Sequence, residues 1–240
     1  MSGVELAGKI IEYDGDVLTI EAPFNDIDFL ARKSDGTCRV ILDDKRTITS
    51  IQRRKIFAIV ADIGGFVSRA ANKREYTEAL RELQLLYVID KTDNEEIRRQ
   101  LTLNFCNLIN SDVFSLSTVN VTTAREFIDW LIELCVNFDI PCNDTLLNRC
   151  EDINKYLYIC VAKRRCAICG KKADIHEVEK VGMGGNRQKM HHLGQLAQPL
   201  CRLHHCEVES NTPQAEFNEK YHIEGIRLDE YLCKCIGWKA

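Results

Sequence analysis

Four residues in the last third of the chain have the types and the spacing of a zinc site. Two residues separate Cys166 from Cys169, and two residues separate Cys201 from His204. Structural Zn²⁺ takes four sulfur or imidazole ligands in a tetrahedron, and two tight turns can each supply two of them. We therefore predict that these four residues hold a structural zinc ion; the alternative is a set of free side chains that lie close without metal. A filled tetrahedron would leave no opening for a substrate.

A second group of residues could bind a different cation. The stretch "ADIHEVE" predicts a strand that carries His176 and Glu177, and "VGMGGN" predicts a loop, because glycine permits unusual backbone angles. After Cys201, "RLHHCEVES" predicts a short helix on which His205 and Glu209 share one face at a spacing of four residues. The predicted order of strand, loop, strand and helix would bring a histidine on the strand close to ligands on the helix.

The first 45 residues predict mainly β structure. The stretches "GKIIEY" and "VLTIEA" flank Asp14-Gly15-Asp16, and Asp-Gly is a strong signal for a tight hairpin turn. The stretch "CRVILDD" at 38–44 predicts a third strand.

After residue 47 the spacing of apolar residues becomes helical. Thr49 and Gln52 fit a capping box, and we predict that the helix they start ends at Gly64-Gly65. Thr123 fits a second cap after an extended stretch at 114–123. Further helices are predicted around residues 80–87, from Asp93, around residues 153–161, after Thr212-Pro213 and from near Asp229.

These patterns predict an α+β chain of two domains. Residues 1–162 form the first domain, which is β-rich over 1–46 and helical over 47–162. Residues 163–240 form the second, a zinc-stabilised domain with C-terminal helices. The charged stretch "KRRC" marks the boundary near residue 163.

The composition is that of an ordinary soluble protein, with 45% hydrophobic and 28% charged residues among 240. No apolar run reaches 18 residues, and the N-terminus shows no basic region followed by an apolar stretch. We therefore predict no membrane span and no secretory signal, which favours the cytosol. Scattered cysteines are then small buried hydrophobic residues rather than disulfide partners. Six cysteines fit that description: Cys38, Cys106, Cys135, Cys142, Cys150 and Cys160.

The net charge of −4 neither indicates nor excludes binding to nucleic acid, because local patches matter more than totals. Three basic clusters are candidate DNA contacts, although such clusters are more often simply solvated faces. The candidate residues are Arg53, Arg54, Lys55, Arg164, Arg165, Arg187 and Lys189.

Residues 166–209 resemble an HNH endonuclease domain of the zinc-clamped kind that is common in phage genomes. The resemblance rests on "CAIC", "DIHE", "VGMGGNR" and "LCRLHHCEVE", four landmarks in the order of that family. It implies a ββα-metal (HNH-like) fold and metal-assisted hydrolysis of phosphodiester bonds. One histidine would act as general base on a water, and one divalent cation, Mg²⁺ or Mn²⁺, would stabilise charge on the phosphorane and the leaving oxygen.

The same resemblance assigns roles to single residues. His176 falls on a metal ligand, and Glu177 falls on the position of the general base. His205 falls on a second metal ligand, and Glu209 stands where a terminal histidine usually also binds metal. Carboxylate oxygen suits Mg²⁺ or Mn²⁺, so the last replacement is compatible with metal binding.

The carboxylate of Glu177 is the main departure from the family pattern. A carboxylate has a pKa of about 4.3 and histidine one of about 6.5, so Glu177 is a weaker base at neutral pH. It could bind the metal instead. In a shifted register His176 would be the base, and Asp174, which would share the face of His176 on a strand, could then bind the metal in place of Ile175. Asn186 and His192 are the candidates for the middle Asn of the family motif.

Nearly the whole chain resembles the Orf (NinB-type) recombination proteins of phages, in the version from phages of Gram-positive bacteria that precedes an HNH domain. The matching stretches are "TSIQRRKIFAIVADI", "FSLSTVNVTTAREFIDWLIELCVNFDIP", "KYLYICVAKRRCAICG" and "EKYHIEGIRLDE". The resemblance implies a mediator, often a homodimer, that binds single-stranded or branched DNA in the host bacterial cytoplasm. It also implies contacts with the host single-strand binding protein and a recombinase. Arg53, Arg54 and Lys55 would then contact phosphates.

Three hypotheses follow. The first is a DNA-binding recombination accessory protein whose HNH-like domain is structural or weakly active. The second is an active HNH endonuclease. The third is a zinc-ribbon interaction module with no role in DNA.

Overall fold

The computed structural model of the chain describes residues 8–23, 45–70, 94–178 and 192–239. These residues form a mixed α+β structure, as predicted, within two compact units, residues 1–43 and 44–240. Among the helices so described, none is long and apolar enough to cross a membrane.

The first unit contains a β-hairpin in which β1 (Lys9–Asp14) pairs antiparallel with β2 (Val17–Glu21). Gly15 and Asp16 form its two-residue turn. Gly15 has a φ of +53°, a left-handed conformation that glycine adopts without steric cost. The predicted hairpin is therefore confirmed, whereas the strand predicted at 38–44 lies outside the described residues.

The second unit consists mainly of helices, with a three-stranded sheet in its last third. Its helices are α1 (Ser50–Ala70), α2 (Asn94–Ile109), α3 (Val121–Asn137), α4 (Leu146–Arg149), α5 (Ile153–Ala162), α6 (Arg202–Cys206), α7 (Gln214–Tyr221) and α8 (Glu230–Ile236). A π-helical turn, Glu207–Asn211, continues α6. The strands are β3 (Asp174–Glu177), β4 (Leu196–Leu200) and β5 (Ile226–Arg227).

Helix α1 begins at the predicted capping box. The Thr49 N–H donates to Gln52 Oε1 at 3.1 Å, and the Gln52 N–H donates to Thr49 Oγ1 at 3.1 Å. The predicted end at Gly64 is wrong, because α1 continues beyond it. A side chain at position 64 would meet Ile97 of α2 at 3.3 Å, so this glycine lets the two helices approach closely.

Helix α3 begins earlier than predicted. Asn120, and not Thr123, is its cap: Asn120 Oδ1 accepts from the Thr123 N–H at 2.7 Å. Residues 121–123, predicted as extended, form the first helical turn. The Val121 N–H donates to the Arg46 carbonyl at 2.9 Å, so pairing with a distant segment sets where this helix starts.

The other predicted helices fall into two groups. Helix α5 coincides with the helix predicted around residues 153–161. The helix predicted to begin near Asp229 is α8, and Asp229 caps it, its Oδ1 accepting from the Leu232 N–H at 2.7 Å. The helix predicted around residues 80–87 and the cap predicted at Asp93 lie outside the described residues.

One hydrophobic core runs through the second unit. It contains fully buried side chains from α1, α2, α3, α5 and α7: Ile56, Leu101, Phe127, Leu157 and Phe217. The same core includes Cys166 and Cys201. The helices therefore pack against the turns that carry the candidate metal ligands. The domain boundary predicted near residue 163 stays a prediction.

The sheet places neighbouring side chains on opposite faces. Strand β4 lies in the centre and pairs antiparallel with β3 and β5, so that His176 is opposite Gln198 and Glu177 is opposite Ala197. Side chains alternate along a strand, so Ile175 and Glu177 leave β3 on one face and His176 on the other. Ile175 and Ala197 belong to a small core with Leu228, Leu232 and Val161.

Candidate metal centres

The two short-spaced pairs of the sequence meet in one cluster. The ligand atoms of Cys166, Cys169, Cys201 and His204 all lie within 4.8 Å of one another. His204 Nδ1 is 3.4 Å from Cys166 Sγ and 3.2 Å from Cys201 Sγ, and Cys169 Sγ is 3.6 Å from Cys201 Sγ. Zinc–ligand bonds of about 2.0–2.3 Å in a tetrahedron separate neighbouring ligand atoms by roughly 3.4–3.8 Å. The cluster, which we call the Cys3His cluster, could therefore hold a metal ion such as zinc.

Two local structures position these ligands. Cys166 and Cys169 lie in a turn in which the Gly170 N–H donates to the Cys166 carbonyl at 2.8 Å, and Gly170 has a φ of +69° that favours glycine. Cys201 precedes α6, and its carbonyl accepts from the His205 N–H at 2.8 Å. Each pair thus comes from one turn of backbone, which explains why sequence spacing could identify it.

Burial and hydrogen bonding set the protonation of the Cys3His cluster. Burial raises the pKa of the Cys166 thiol to about 12. Burial acts in the same direction on Cys201, but hydrogen bonds from the His204 N–H and the Cys169 thiol hold its pKa below the ordinary value. Burial also lowers the pKa of His204, which favours the neutral imidazole. Because metal ligands are thiolates and neutral imidazoles, metal binding would release the Cys166 proton.

A second cluster contains three of the four predicted catalytic residues. The ligand atoms of His176 on β3, His205 on α6 and Glu209 on the π-helical turn lie within 4.8 Å of one another. The two histidine rings have centroids 4.9 Å apart, and His205 Nε2 is 3.6 Å from Glu209 Oε1. We call this group the His-His-Glu cluster. Three protein ligands would leave coordination positions open, as in catalytic metal sites and unlike the Cys3His cluster.

His205 provides a test of whether a cation fits the His-His-Glu cluster. Its Nδ1 is buried and has no hydrogen-bond partner among the described residues. A buried polar atom without a partner costs about 1–3 kcal/mol. His205 Nε2, on the other side of the ring, lies 3.6 Å from Glu209 Oε1. Two imidazoles and a carboxylate within 4.8 Å of one another are a donor set compatible with a metal ion.

A neutral side chain contacts Nε2 of His176. His176 is buried, and its Nε2 lies 2.9 Å from Gln214 Oε1 on α7. Gln214 in turn contacts Gln198, which is opposite His176 on the same face of the sheet, and Asn218. The side chains of Gln214, Gln198 and Asn218 therefore form a polar group that contacts His176 through Gln214.

Glu177, the predicted general base, does not join the His-His-Glu cluster. Its Oε1 lies 3.4 Å from His192 Nδ1, on the face of the sheet opposite His176. His192 Nδ1 is also 3.0 Å from Gln195 Oε1, and its ring lies 4.4 Å from that of Trp238. The structure thus pairs the carboxylate at the base position with a second histidine.

The alternative candidates for the metal ligand and for the middle Asn of the family motif lie in different environments. Asp174 is exposed and is not among the residues that cluster with His176, although both leave β3 on the same face. His192 is buried and contacts Glu177. Asn186 lies outside the described residues.

The three residues of the N-terminal basic cluster, residues 53–55, differ in exposure and in ion pairing. Arg53 and Arg54 are exposed in the first turns of α1. Lys55 is half-buried and forms an ion pair with Glu151 at 2.5 Å. Within the described part of the chain, only the two arginines of this cluster are therefore available to contact a phosphate. Their role in DNA binding stays a prediction.

The basic residues beside the zinc turn make contacts within the chain. Arg164 donates to the Ile236 carbonyl on α8, and Arg165 pairs with Asp139. These bonds compete with any phosphate contact. Arg187 and Lys189, the third predicted basic cluster, lie outside the described residues.

Sequence reasoning missed the three amide side chains Gln198, Gln214 and Asn218. A signal existed for Gln198, because it is a polar residue within the otherwise apolar strand "LAQPLC". No local pattern marked Gln214 or Asn218. Because α7 packs against the sheet, Gln214 contacts His176, and Asn218 contacts Gln214 and Gln198.

The fold and the two clusters together define a class of protein. An antiparallel pair of strands and a following helix carry a His-His-Glu cluster, and a Cys3His cluster lies at the ends of the same elements. This is the arrangement expected of a metal-dependent nuclease.

Comparison with known proteins identifies the family. The model of the family described as "Putative HNHc nuclease" matches residues 19–238. The chain therefore belongs to this HNH nuclease family, and the predicted HNH-like part is confirmed. No curated protein and no solved structure matches the chain. The Orf (NinB-type) resemblance stays a prediction.

Proposed function

We propose that the chain is a DNA endonuclease that hydrolyses phosphodiester bonds with a divalent cation at the His-His-Glu cluster. The observation that carries this proposal is the convergence of His176, His205 and Glu209, with ligand atoms within 4.8 Å of one another. Membership of the HNH nuclease family supports DNA as the substrate. The mixed imidazole and carboxylate donors are compatible with Mg²⁺ or Mn²⁺.

The residues of the His-His-Glu cluster would act mainly by holding and orienting the divalent cation. His176 is buried within the sheet, whereas the side chain of Glu209 is about half exposed (53%), so the cluster has a closed side and an open side. When bound, a divalent cation would supply electrostatic stabilisation of the phosphate charge that grows during hydrolysis. Substrate would approach from the side of Glu209, because His176 faces protein.

The Cys3His cluster has a supporting role in this proposal. His204 belongs to it, and the next residue, His205, belongs to the His-His-Glu cluster. A zinc ion that fixes His204 and Cys201 would therefore fix the start of α6 and the position of His205.

A second candidate function is DNA docking without cleavage. The observation that favours it is the contact of Glu177 with His192, which leaves the base position of the family turned away from the His-His-Glu cluster. Under this proposal the metal clusters are structural, and the family fold is retained as a binding surface.

The finer role proposed for either candidate is in phage recombination, on single-stranded or branched DNA. It rests on the resemblance of the N-terminal stretches to Orf proteins, as do dimerisation and partnership with a single-strand binding protein and a recombinase. The exposed Arg53 and Arg54 are compatible with phosphate contacts. Salt dependence of DNA binding in Arg53→Ala/Arg54→Ala would test their part.

The cleavage experiment compares supercoiled, linear and branched DNA with Mg²⁺ or Mn²⁺ and the full chain. Glu209→Gln and His205→Ala are the test variants, and Glu219→Gln, an exposed carboxylate on α7, is the matched control. We expect cleavage by the wild type and the control, and a loss of about 100-fold or more in the test variants.

The outcomes separate the candidates. DNA binding without cleavage in every variant would favour docking and contradict the nuclease. Cleavage that persists in His205→Ala would place the active site elsewhere. No binding to any DNA at low salt would overturn both.

A further inference from the structure

Two cysteines outside both metal clusters lie in contact at the end of α3. Cys135 belongs to the last turn of that helix and is 1% exposed, and Cys142 follows in the loop before α4 and is half-buried. Their thiols share a hydrogen bond. Thiols that hydrogen-bond point towards each other, which is the condition for joining them by a disulfide without moving the backbone far.

The way in which α3 ends explains this contact. The Ile140 N–H donates to the Cys135 carbonyl at 2.9 Å, and Asp139 between them has a φ of +53°. A bond of this span and a left-handed residue just after the helix are features of the Schellman motif, which reverses the chain. Cys142, seven residues after Cys135, is thereby brought back to the helix. Its Sγ also lies 3.5 Å from the Ile140 carbonyl.

A cavity of about 520 Å³ adjoins the cysteine pair. Cys135 and Cys142 both line it, and Cys169 and Gly170 of the zinc turn line another part of its wall. Cys142 keeps part of its surface exposed, whereas Cys135 is almost fully buried. A small reagent that enters the cavity would therefore reach Cys142 more readily than Cys135.

We propose that Cys135 and Cys142 form a reversible redox site, which a hydroperoxide converts into an intramolecular disulfide. The Cys142 sulfur attacks one peroxide oxygen and the O–O bond breaks. Cys142 becomes a sulfenic acid, and the other oxygen takes up the Cys142 proton and leaves as an alcohol, or as water when the oxidant is hydrogen peroxide. The Cys135 sulfur then attacks the Cys142 sulfur, the S–O bond breaks, and the oxygen leaves as water with the Cys135 proton.

The two thiols are oxidised by two electrons in these steps, and the hydroperoxide is reduced by the same two. Thiol–disulfide exchange with a small thiol such as glutathione reverses the modification. Two molecules of that thiol are then joined in a disulfide, and both cysteines regain their protons. The site is independent of the proposed nuclease activity, because neither cysteine belongs to a metal cluster.

The surroundings assign the first step to Cys142. The hydrogen bond from the Cys135 thiol lowers the pKa of Cys142, and the same bond raises the pKa of Cys135 well above its ordinary value. The charges nearby act in opposite directions on Cys142, because Arg149 lowers its pKa and Asp62 raises it. The thiolate is the reactive form, so the more exposed cysteine with the lower pKa attacks the oxidant, and the buried one completes the disulfide.

One tryptic fragment provides the test. Trypsin cleaves after Arg125 and Arg149, and residues 126–149 contain Cys135 and Cys142 but no other cysteine. Full-length zinc-loaded protein is treated with hydrogen peroxide at neutral pH, quenched, alkylated with iodoacetamide in urea and digested. We expect the fragment from untreated protein to carry two labels. The fragment from oxidised protein should carry none and weigh about 2 Da less than the unlabelled dithiol, and glutathione should restore both labels.

Variants test the order of the two steps. With Cys135→Ser, dimedone should trap a sulfenic acid at Cys142, whereas with Cys142→Ser the remaining Cys135 should stay reduced and accept one label. Cys106→Ser, a change at another buried cysteine on α2, is the matched control and should form the disulfide like the wild type. Equal trapping of sulfenic acid at Cys135 and Cys142 would contradict the assigned order.

Equilibrium with glutathione tests whether the fold prepares the pair, and it needs no variant. Because the folded chain holds the thiols in contact, its ratio of disulfide to dithiol should be at least about 10-fold higher than that of the free fragment in urea at the same glutathione ratio. An equal or lower ratio in the folded protein would overturn the proposal. So would two labels, or sulfinic and sulfonic acids in place of the disulfide, after peroxide treatment of the wild type. Zinc content is measured in the same samples, and a disulfide that appears only after zinc release would also contradict the site.

Discussion

At the scale of single residues, environment decides how the same side chain behaves. The cysteines of the chain show this most clearly. Cys235 is exposed on α8, whereas Cys150 is half-buried between α4 and α5 and its Sγ contacts the Leu147 carbonyl at 3.1 Å. Burial, with the nearby Asp129 carboxylate, raises the pKa of Cys150 to about 11. Residue type alone could not have separated these two thiols.

We predict that Cys150 resists alkylation at neutral pH. A raised pKa means that the thiolate appears only as the pH rises towards 11, and the thiolate is the reactive form. At pH 8 iodoacetamide should modify Cys150 about 100-fold more slowly than a peptide thiol with a pKa of about 8.5, and the rate should rise roughly tenfold per pH unit up to pH 10. Peptide mass spectrometry measures this rate, with Cys235 as the exposed reference. Equal rates for Cys150 and a peptide thiol at pH 8 would contradict the prediction.

At the scale of elements, a buried ion pair joins helices that are distant in sequence. Arg149 on α4 lies 2.6 Å from Asp62 on α1, and both are buried. Asn143 donates to the same carboxylate at 2.6 Å from its side chain. Two charges in low dielectric are tolerated only when each finds such partners. The pair therefore links the position of the short α4 to the long α1.

We predict that Arg149→Met destabilises the fold by about 3–5 kcal/mol, because it leaves the Asp62 carboxylate buried without its cation. The double variant Asp62→Asn/Arg149→Met should recover most of that loss, since it removes both charges. Urea unfolding at pH 7 measures both values. A single variant as stable as the wild type would show that the carboxylate is solvated rather than buried.

At the scale of the whole second unit, one core connects the helices to the Cys3His cluster. Cys166 and Cys201 lie in the same hydrophobic core as Phe127 and Leu157, and Tyr156 donates to the Ala167 carbonyl at 2.8 Å. A zinc ion that closes the two turns would therefore stabilise more than the turns themselves. Metal loss should spread to the His-His-Glu cluster through His204 and its neighbour His205.

We predict about one tightly held zinc ion per chain, and a cooperative loss of structure when it is removed. Cys169→Ser should lower the zinc content and the melting temperature, whereas Cys235→Ser, an exposed cysteine outside the cluster, should change neither. Elemental analysis and thermal unfolding monitored by circular dichroism provide the two measurements. A metal-free protein with an unchanged melting temperature would refute a structural zinc site.

The sequence by itself determined the features that depend on neighbours along the chain. The Cys-x2-Cys and Cys-x2-His pairs, the hairpin at Gly15 and the capping box at Thr49 are each complete within one turn of backbone, so spacing and residue type were sufficient. The likeness to HNH domains rested on the same local landmarks.

Only the tertiary structure decided what depends on packing between distant segments. Helix α1 continues past Gly64, at a position where α2 approaches closely. Glu177 contacts His192 because neighbouring residues of β3 lie on opposite faces of the sheet. The tertiary structure also placed Gln214 beneath His176, since α7 packs on the sheet. Local spacing can select a metal-binding side chain, but the partner that orients it comes from whichever element the core brings into contact.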